Sequence, residues 1–265
     1  MTFLQRTFSK YWYLFCYNYR SNTAYRWSSL SWLFGHLLMI AGTVYVWYIS
    51  ALNGSTLFEF KEIFTYYIIG SLISTNNGVH YNLGGKITDG RLSTLMIIPS
   101  NVLMRCVVSD QGWHFFSKII NIILISVIAV VGRQFIFLPS DMQVVFFTFV
   151  VTIVGFVAEI YVNLMFGMLA FWMTDAWGIF DLQGNITNIL SGKIIPLSIL
   201  PFSAIISVLP FAYFYFLPTQ VFMQKYSTNQ ILQILTIGLL WTVILHFLTR
   251  YIWKIGLKKY EAVGL

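Results

Sequence analysis

Residues 142–165 read MQVVFFTFVVTIVGFVAEIYVNLM and contain a single charged side chain, that of Glu159. A helix needs about 20 predominantly apolar residues to cross the hydrocarbon core of a bilayer, which is about 30 Å thick. The stretch therefore predicts a membrane-spanning helix.

The continuation of this stretch to residue 200 adds only three ionisable residues, Asp175, Asp181 and Lys193. A single helix over 142–200 would be about 88 Å long, nearly three bilayer cores. The chain must therefore fold back, and a further span is predicted over 168–191.

The composition supports a membrane protein. Of the 265 residues, 58% are hydrophobic and only 9% are charged, and the mean hydropathy is +0.73. Soluble domains are about 25% charged, and a globular chain of this size could not bury so much apolar surface. A soluble enzyme, a disordered chain and a disulfide-stapled secreted module are excluded. Cys16 and Cys106 are expected to be unpaired thiols.

Four further apolar stretches complete an all-α polytopic fold with six transmembrane helices in one domain over 1–265. The additional spans are predicted over 28–52, 63–82, 119–138 and 230–250. Before the first of them, residues 1–26 place aromatic side chains on one helical face and Arg6, Lys10 and Arg20 on the other. This pattern predicts an amphipathic helix lying at the membrane interface.

The distribution of basic residues predicts the orientation. Segments 1–26, 83–118 and 250–265 contain twelve of the sixteen Lys and Arg residues. Cytoplasmic loops carry an excess of Lys and Arg, so both termini are predicted to be cytoplasmic. The net charge of +7 is therefore attributed to membrane topology, and nucleic acid is not expected as a partner.

The cytoplasmic segment 83–118 contains a candidate docking helix. Asp89 is positioned to cap a short helix on which Leu92, Leu95 and Met96 share a face. Pro99 is expected to end that helix, because the residue before a proline avoids the helical region. A short apolar helix outside the bilayer suits docking into a groove on a soluble partner, although an ordinary surface loop fits the same residues.

The segment 192–222 faces the opposite side of the membrane and contains a proline every five to nine residues. This spacing forbids a continuous spanning helix and favours two short half-helices that enter and leave the membrane. No phosphate-binding loop with its Lys and Ser or Thr occurs, and no His and acid cluster has metal-ligand spacing.

Together these segments resemble the permease subunit of a bacterial ABC type-2 exporter, in the subgroup of viologen- and daunorubicin-type export permeases. The most specific motifs are Ser191-Gly192 with Ile195-Pro196-Leu197 and Leu200-Pro201, then Leu209-Pro210-Phe211 and Pro218, and the tail Gly256-Leu257-Lys258-Lys259-Tyr260. Gly90-Arg91-Leu92 with Leu95 and Pro99 resembles the family's segment between spans two and three. Ile98 stands where the family commonly has Arg.

The resemblance implies a partner arrangement. Two ATPase subunits would bind ATP and Mg²⁺, whereas this chain would hold no cofactor and would not itself be an enzyme. A second permease subunit, identical or paralogous, would complete the path across the bacterial inner membrane. The coupling helix would rest on the ATPase and would comprise Asp89, Gly90, Arg91, Leu92, Leu95, Met96 and Pro99.

The resemblance and the intramembrane polar residues suggest a path for cargo. An ionisable or polar group within the membrane is costly and is a functional candidate by default. The candidate path residues are Asn76, Asn77, Glu159, Asp175 and Asp181. Ion pairs within the helix bundle explain the acids equally well. Two re-entrant helices would cap the outer mouth, with a gate at Gly192, Pro196, Pro201, Pro210 and Pro218.

The cargo is expected to be drug-like, lipid-like or a peptide. An ion-coupled secondary transporter of small amphiphiles is the main alternative, although such proteins often carry paired broken helices in both halves, and only one broken region is found. An intramembrane enzyme would need a convergent catalytic set, and a non-exporting complex of the same family would share every feature.

Overall fold

The computed structural model describes residues 3–53, 59–74 and 77–260, apart from the side chains of 3–7 and of Ala51. Within these ranges the chain is helical and contains no strand. The α-helices are α1 (Phe3–Ala24), α2 (Arg26–Leu52), α3 (Phe60–Ile73), α4 (Val79–Thr88), α5 (Leu92–Ile97), α6 (Val102–Val131), α7 (Met142–Met168), α8 (Trp177–Leu190), α9 (Ser203–Val208), α10 (Phe216–Phe222) and α11 (Thr228–Lys259).

Four helices in the described part of the chain are long and apolar enough to cross a membrane. They are α2, α6, α11 and α7 together with the 3₁₀ turn Leu169–Phe171 that extends it. Their outer surfaces are strongly apolar: Trp32 on α2 is 81% exposed and Val131 on α6 is 79% exposed. Such exposed side chains suit contact with lipid or with other membrane subunits, not with water.

The second predicted span, 63–82, is not one helix. Helix α3 ends at Ile73 and α4 begins at Val79. Asn76 lies outside the described residues. Asn77 and Gly78, which directly precede α4, form hydrogen bonds with residues of α6.

The fifth predicted span, 168–191, also has different bounds. Residues 168–171 continue α7, and α8 begins only at Trp177. The 14 residues of α8 extend about 21 Å, less than the thickness of a hydrocarbon core. Asp175 accepts a hydrogen bond from the backbone N–H of Trp177 (3.0 Å), which favours starting the new helix there.

The boundary predicted at 118/119 falls inside a continuous helix. Helix α6 starts at Val102, where the Asn101 side chain accepts from the Met104 N–H (3.0 Å), and it ends at Val131 before the predicted limit of 138. The polar residues that suggested a loop are accommodated by neighbouring elements. Asp110, for example, is only 3% exposed and accepts backbone and side-chain hydrogen bonds.

The core has two parts, one at each end of the bundle. One part lies at the end that contains α5, here called the α5 end, and joins α4, α5, the start of α6, α7, α8 and the end of α11. Its fully buried members include Val79, Leu83, Leu92, Cys106 and Met168. The other part lies towards the opposite end and packs α3 and α7 against the segment 210–222.

Helix α1 packs along the first half of α6. The side chain of Ser109 donates to Asn18 Oδ1 (2.9 Å), and the rings of Phe15 and Phe115 meet edge to face at 5.2 Å. A Cβ at Gly112 would lie 2.6 Å from the carbonyl oxygen of Phe15. Only glycine therefore permits this close approach.

The proline-rich segment contains short helices and 3₁₀ turns, as the proline spacing predicts. Its second half is the most buried part of the segment: Tyr213 and Tyr215 are each 2% exposed. Three helices approach Tyr213 or Tyr215 closely, each at a glycine. A Cβ would come within 2.1 Å of Tyr215 at Gly70, 2.1 Å of the Tyr213 carbonyl at Gly155, and 2.6 Å of the Tyr213 ring at Gly238.

Candidate functional site

Helix α5 rests on a buried base. Leu92 is completely buried and packs in the core at the α5 end, with Leu83, Ile87 and Leu103 in the same cluster. Leu95 is half-buried, and Met96 is 49% exposed. Leu92 therefore anchors the helix to the core and does not contribute to its exposed surface, whereas the docking role of this helix stays a prediction.

The exposed surface of this element is the adjacent apolar tip, defined here as Met96, Ile97 and Ile98. Ile97 is 83% exposed and Ile98 is 41% exposed. The helix ends at Ile97, and Ile98 is extended with φ −78° and ψ 128°, as expected for a residue before Pro99. Three consecutive exposed apolar residues on a short, well-anchored helix form a surface suited to a partner's groove.

Asp89 does not cap α5. Its carboxylate pairs with the Arg91 guanidinium, and both side chains are more than half exposed, so this pair contributes little stability. A backbone N–H in the first turn of α5, that of Ser93, donates instead to the hydroxyl of Tyr260 (3.2 Å). Gly90 between the two charged residues has φ +73°, a left-handed conformation that favours glycine.

Asn77 belongs to a polar network that connects the break between α3 and α4 to α6. Gln111 Nε2 donates to Asn77 Oδ1 (2.7 Å), and Lys118 Nζ donates to Gln111 Oε1 (2.8 Å). The centre of the network is Asp110, whose two carboxylate oxygens both lie within hydrogen-bonding distance of the Gly78 N–H (3.1 and 3.2 Å).

The sequence did not single out Asp110, which lies in the polar segment 83–118. The signal was available: Asp110 and His114 are four residues apart, the spacing of neighbours on a helix face. In the structure His114 Nε2 lies 3.3 Å from Asp110 Oδ1. A buried carboxylate at the first turn of α4 also interacts favourably with the positive end of that helix.

Glu159 lies far from this network in sequence, on α7, and is 8% exposed. The charges of Lys118 and Lys193 both act on it. Nearby on the same helix, Asn163 accepts a hydrogen bond from Gln183 Nε2 of α8 (2.8 Å). Glu159 therefore lies among charged and polar groups that connect α6, α7 and the start of the outer segment.

Asp175 and Asp181 are both exposed. Asp175 lies just before α8, and Asp181 lies within its first turns. The hydroxyl of Tyr81 donates to Asp181 Oδ1 (2.5 Å), and the Tyr81 ring stacks on Trp177 at 5.6 Å. Asp181 thus shares a surface with aromatic side chains of α4 and α8. The four described path candidates come from different elements: Asn77 precedes α4, Glu159 lies on α7, Asp175 precedes α8 and Asp181 lies in its first turns.

The predicted outer gate residues lie in a tightly held segment. Gly192 has φ +82°, and a Cβ there would lie 2.7 Å from the Tyr66 hydroxyl oxygen. Tyr66 donates to the carbonyl of Gly192 (2.6 Å), and Tyr67 donates to that of Ile194 (2.8 Å). Pro196, Pro210 and Pro218 are buried, whereas Pro201 is exposed.

Long apolar helices with exposed hydrophobic surfaces, and a short helix with an exposed tip at one end, define a multi-pass helical membrane protein. The model of one family, described as ABC-2 family transporter protein, matches residues 30–264. The chain belongs to this family and is a permease, the membrane component of an ABC transporter. No curated protein matches the chain in sequence.

Proposed function

We propose that the chain is the permease subunit of an ATP-driven exporter and that α5 is its coupling helix. The observation that carries the proposal is the apolar tip, exposed on a helix whose Leu92 is fully buried. A docking surface that transmits force must be both accessible and firmly attached, and α5 meets both conditions. Membership of the ABC-2 family supports an ATPase as the partner.

The proposed topology has six crossings with both termini in the cytoplasm of a bacterial inner membrane. Crossings two and five are then discontinuous: the second is formed by α3 and α4, and the fifth by α8 with the residues that follow it. Helices α9 and α10 would be the re-entrant pair at the outer mouth. Helix α1, which packs along α6, would lie at the cytoplasmic interface. The viologen and daunorubicin subgroup remains the proposed subfamily.

In the proposed mechanism, two ATPase subunits bind ATP and Mg²⁺ and move α5 against the rest of the bundle. ATP drives the change only through its different affinity for the inward and outward states. Shifting such an equilibrium from 1:99 to 99:1 takes about 5.5 kcal/mol of differential binding. Helix α5 must therefore stay firmly attached to the bundle when the ATPase moves it. Its packing in the buried core at the α5 end supports this role.

A second permease copy, identical or paralogous, would complete the cargo path. Asn76, Asn77, Glu159, Asp175 and Asp181 remain the proposed path residues, with the outer segment as the gate. The Asp181 carboxylate beside Tyr81 and Trp177 suits a cargo that carries an amine or a quaternary ammonium. Drug-like, lipid-like and peptide cargoes all include such groups.

The test of docking is the substitution Ile97→Asp, with Leu138→Asp as the matched control. Leu138 is also strongly exposed (70%), but it lies at the opposite end of the bundle. We expect Ile97→Asp to weaken copurification of the ATPase subunit at least about tenfold, the effect of losing one buried apolar side chain. Leu138→Asp should have no effect. Equal recovery of the ATPase with both variants would remove α5 from the docking role.

The energy source is tested with membrane vesicles containing the intact complex. ATP-dependent movement of a labelled cation that stops when the ATPase subunit is removed would support the exporter. Movement that continues without the ATPase and collapses with the proton gradient would instead support an ion-coupled secondary transporter.

A further inference from the structure

The C-terminal end of α11 holds the turn that leads into α5. The Tyr260 hydroxyl donates to the carbonyl oxygen of Gly90 (2.8 Å) and accepts from the backbone N–H of Ser93 (3.2 Å). One side chain thereby connects residues separated by about 170 positions in sequence. Tyr260 belongs to the C-terminal motif Gly256-Leu257-Lys258-Lys259-Tyr260, and docking of the ATPase on α5 gives this motif no role.

The Ser93 N–H is one of the first N–H groups of a helix, which have no partner within the helix itself. Arg91, the residue before α5, provides no side-chain cap. Ser93 Oγ donates to the same Gly90 carbonyl (2.8 Å), so the turn and the first helical residues are joined around a single oxygen. Tyr260 therefore replaces the missing cap and fixes the angle at which α5 leaves α4.

The Tyr260 ring is itself held in place. It meets the Phe171 ring edge to face at 6.1 Å, and Phe171 meets Trp253 at 5.6 Å. A Cβ at Gly256 would lie 2.2 Å from the Phe171 ring, so α11 can approach this ring only through a glycine. The position of the hydroxyl is consequently determined by α11 and by the turn after α7.

The other end of α11 contacts the outer segment. Tyr213 donates to the carbonyl of Ile234 (2.7 Å), and Trp241 Nε1 donates to the carbonyl of Val208 (2.7 Å). The 32 residues of α11 extend about 48 Å as a continuous helix. A single rigid element thus joins the turn before α5 to the segment proposed as the outer gate.

We infer that Tyr260 is a positioning residue that links the coupling helix to the last transmembrane helix, so that displacement of α5 by the ATPase moves α11 and the outer segment. The inference rests on the proposed function, because it requires an ATPase that acts on α5. A side chain that merely stabilised the fold would contribute equally in both states. A side chain that links α5 to α11 instead changes how strongly nucleotide binding by the ATPase is coupled to the conformation of the outer segment.

The experiment uses the complex of the full chain with its ATPase subunit in lipid nanodiscs, where reagents reach both faces of the membrane. Cys16→Ser and Cys106→Ala remove the native thiols, and Ser198→Cys places one reactive thiol on the exposed surface of the outer segment. Labelling by a membrane-impermeant maleimide is measured with and without trapping by ATP and vanadate. The variants are Tyr260→Phe, which keeps the ring on Phe171, and Tyr251→Phe as the control, since Tyr251 is 64% exposed on the same helix.

We expect nucleotide trapping to change the labelling rate in the parent complex and in Tyr251→Phe. In Tyr260→Phe this change should shrink at least about fivefold while the ATPase still copurifies, because the substitution removes two intramolecular hydrogen bonds and one alone contributes about that factor. An unchanged response in Tyr260→Phe would overturn the link and leave the proposed function intact. A parent complex with no nucleotide response, or with no bound ATPase, would overturn the proposed function and with it the link.

Discussion

Single residues at helix contacts determine how closely the elements of this bundle approach one another. Gly155 faces the Tyr213 carbonyl, and Gly70 faces the Tyr215 ring, each with a projected Cβ distance of 2.1 Å. A ring can rotate or shift slightly, but a backbone carbonyl moves only with its whole segment. Gly155 is therefore the position at which an added methyl group should disturb the outer segment most.

Gly155→Ala is expected to destabilise the protein by about 1–3 kcal/mol, the usual cost of overpacking a well-filled core. Gly42→Ala on α2 is the matched control, because a Cβ there meets no atom within 4 Å. Alanine has a higher helix propensity than glycine, so the control should be neutral or more stable. The measurement is the thermal unfolding temperature in detergent, and equal shifts for both variants would contradict the packing argument.

The acids proposed for the cargo path differ in what their removal should do to the fold. Glu159→Gln removes a buried carboxylate close to two lysines and leaves buried donors less well satisfied, so it should lower the unfolding free energy by about 1–3 kcal/mol. Asp181→Asn changes an exposed group whose amide oxygen can still accept from Tyr81, so stability should stay within about 0.5 kcal/mol.

Thermal unfolding together with cation transport separates the two roles. Loss of transport in Asp181→Asn at unchanged stability would support a place on the cargo path. A marked loss of stability in that variant would show instead that Asp181 holds the fold.

At the scale of the element, the break between α3 and α4 depends on a partner supplied by α6. A helix that starts inside the bundle exposes N–H groups that water cannot reach, and an unsatisfied buried donor costs about 1–3 kcal/mol. Asp110 satisfies the Gly78 N–H, and His114 and Gln111 hold the carboxylate in turn. The hydrogen bonds of Asp110 therefore stabilise the start of α4 at this position.

Asp110→Ala should accordingly destabilise the protein by about 1–3 kcal/mol and accelerate amide hydrogen exchange at the start of α4. Asp141→Ala provides the control, because Asp141 precedes α7, is exposed and makes no side-chain cap. Exchange at α4 that is equally slow in both variants would mean that the break does not depend on the carboxylate.

At the scale of the whole molecule, the two parts of the core lie at opposite ends of the bundle. The part at the α5 end holds the short helix with the exposed tip, and the other part holds the proline-rich segment between α3 and α7. Helix α11 reaches both, through Tyr260 at one end and Ile234 at the other. This arrangement is what a device that couples two sides of a membrane requires.

The proposed orientation is tested by thiol labelling in intact cells. In a background with Cys16→Ser and Cys106→Ala, an impermeant maleimide should react with Ser198→Cys at once and with Ile97→Cys only after the cells are permeabilised. Both positions are exposed, so differences in burial do not explain the result. The reverse pattern would invert the topology, and labelling of both positions in intact cells would place them on the same side.

Much of the fold follows from the sequence, because hydropathy acts over whole segments. The apolar stretches predicted long helices, and the spacing of Pro196, Pro201, Pro210 and Pro218 predicted that no continuous helix would form there. The bounds of the second, third and fifth spans were less predictable. Isolated polar residues such as Asp110 indicate a loop when only the sequence is considered. Their hydrogen-bond partners inside the bundle come from distant parts of the chain.

The candidate site was predictable in location and less so in detail. The short helix before Pro99 was expected, but the sequence alone assigned Leu92 to the docking face. Helical spacing puts Leu92, Leu95 and Met96 on the same face of α5. Which of them is buried depends on how α4 and α6 pack against that face. Tyr260 was recognised as part of a motif, yet its two hydrogen bonds cross about 170 residues and have no local signature.

Composition and hydropathy were enough to predict a helical membrane protein, since the free energy of burying apolar residues in lipid depends on the number and length of the apolar stretches along the chain. The positions at which the helices break, the apolar residues of α5 that stay exposed and the contact of α11 with the turn before α5 depend on packing. Those features depend on contacts between residues far apart in sequence, and such contacts exist only after the chain has packed.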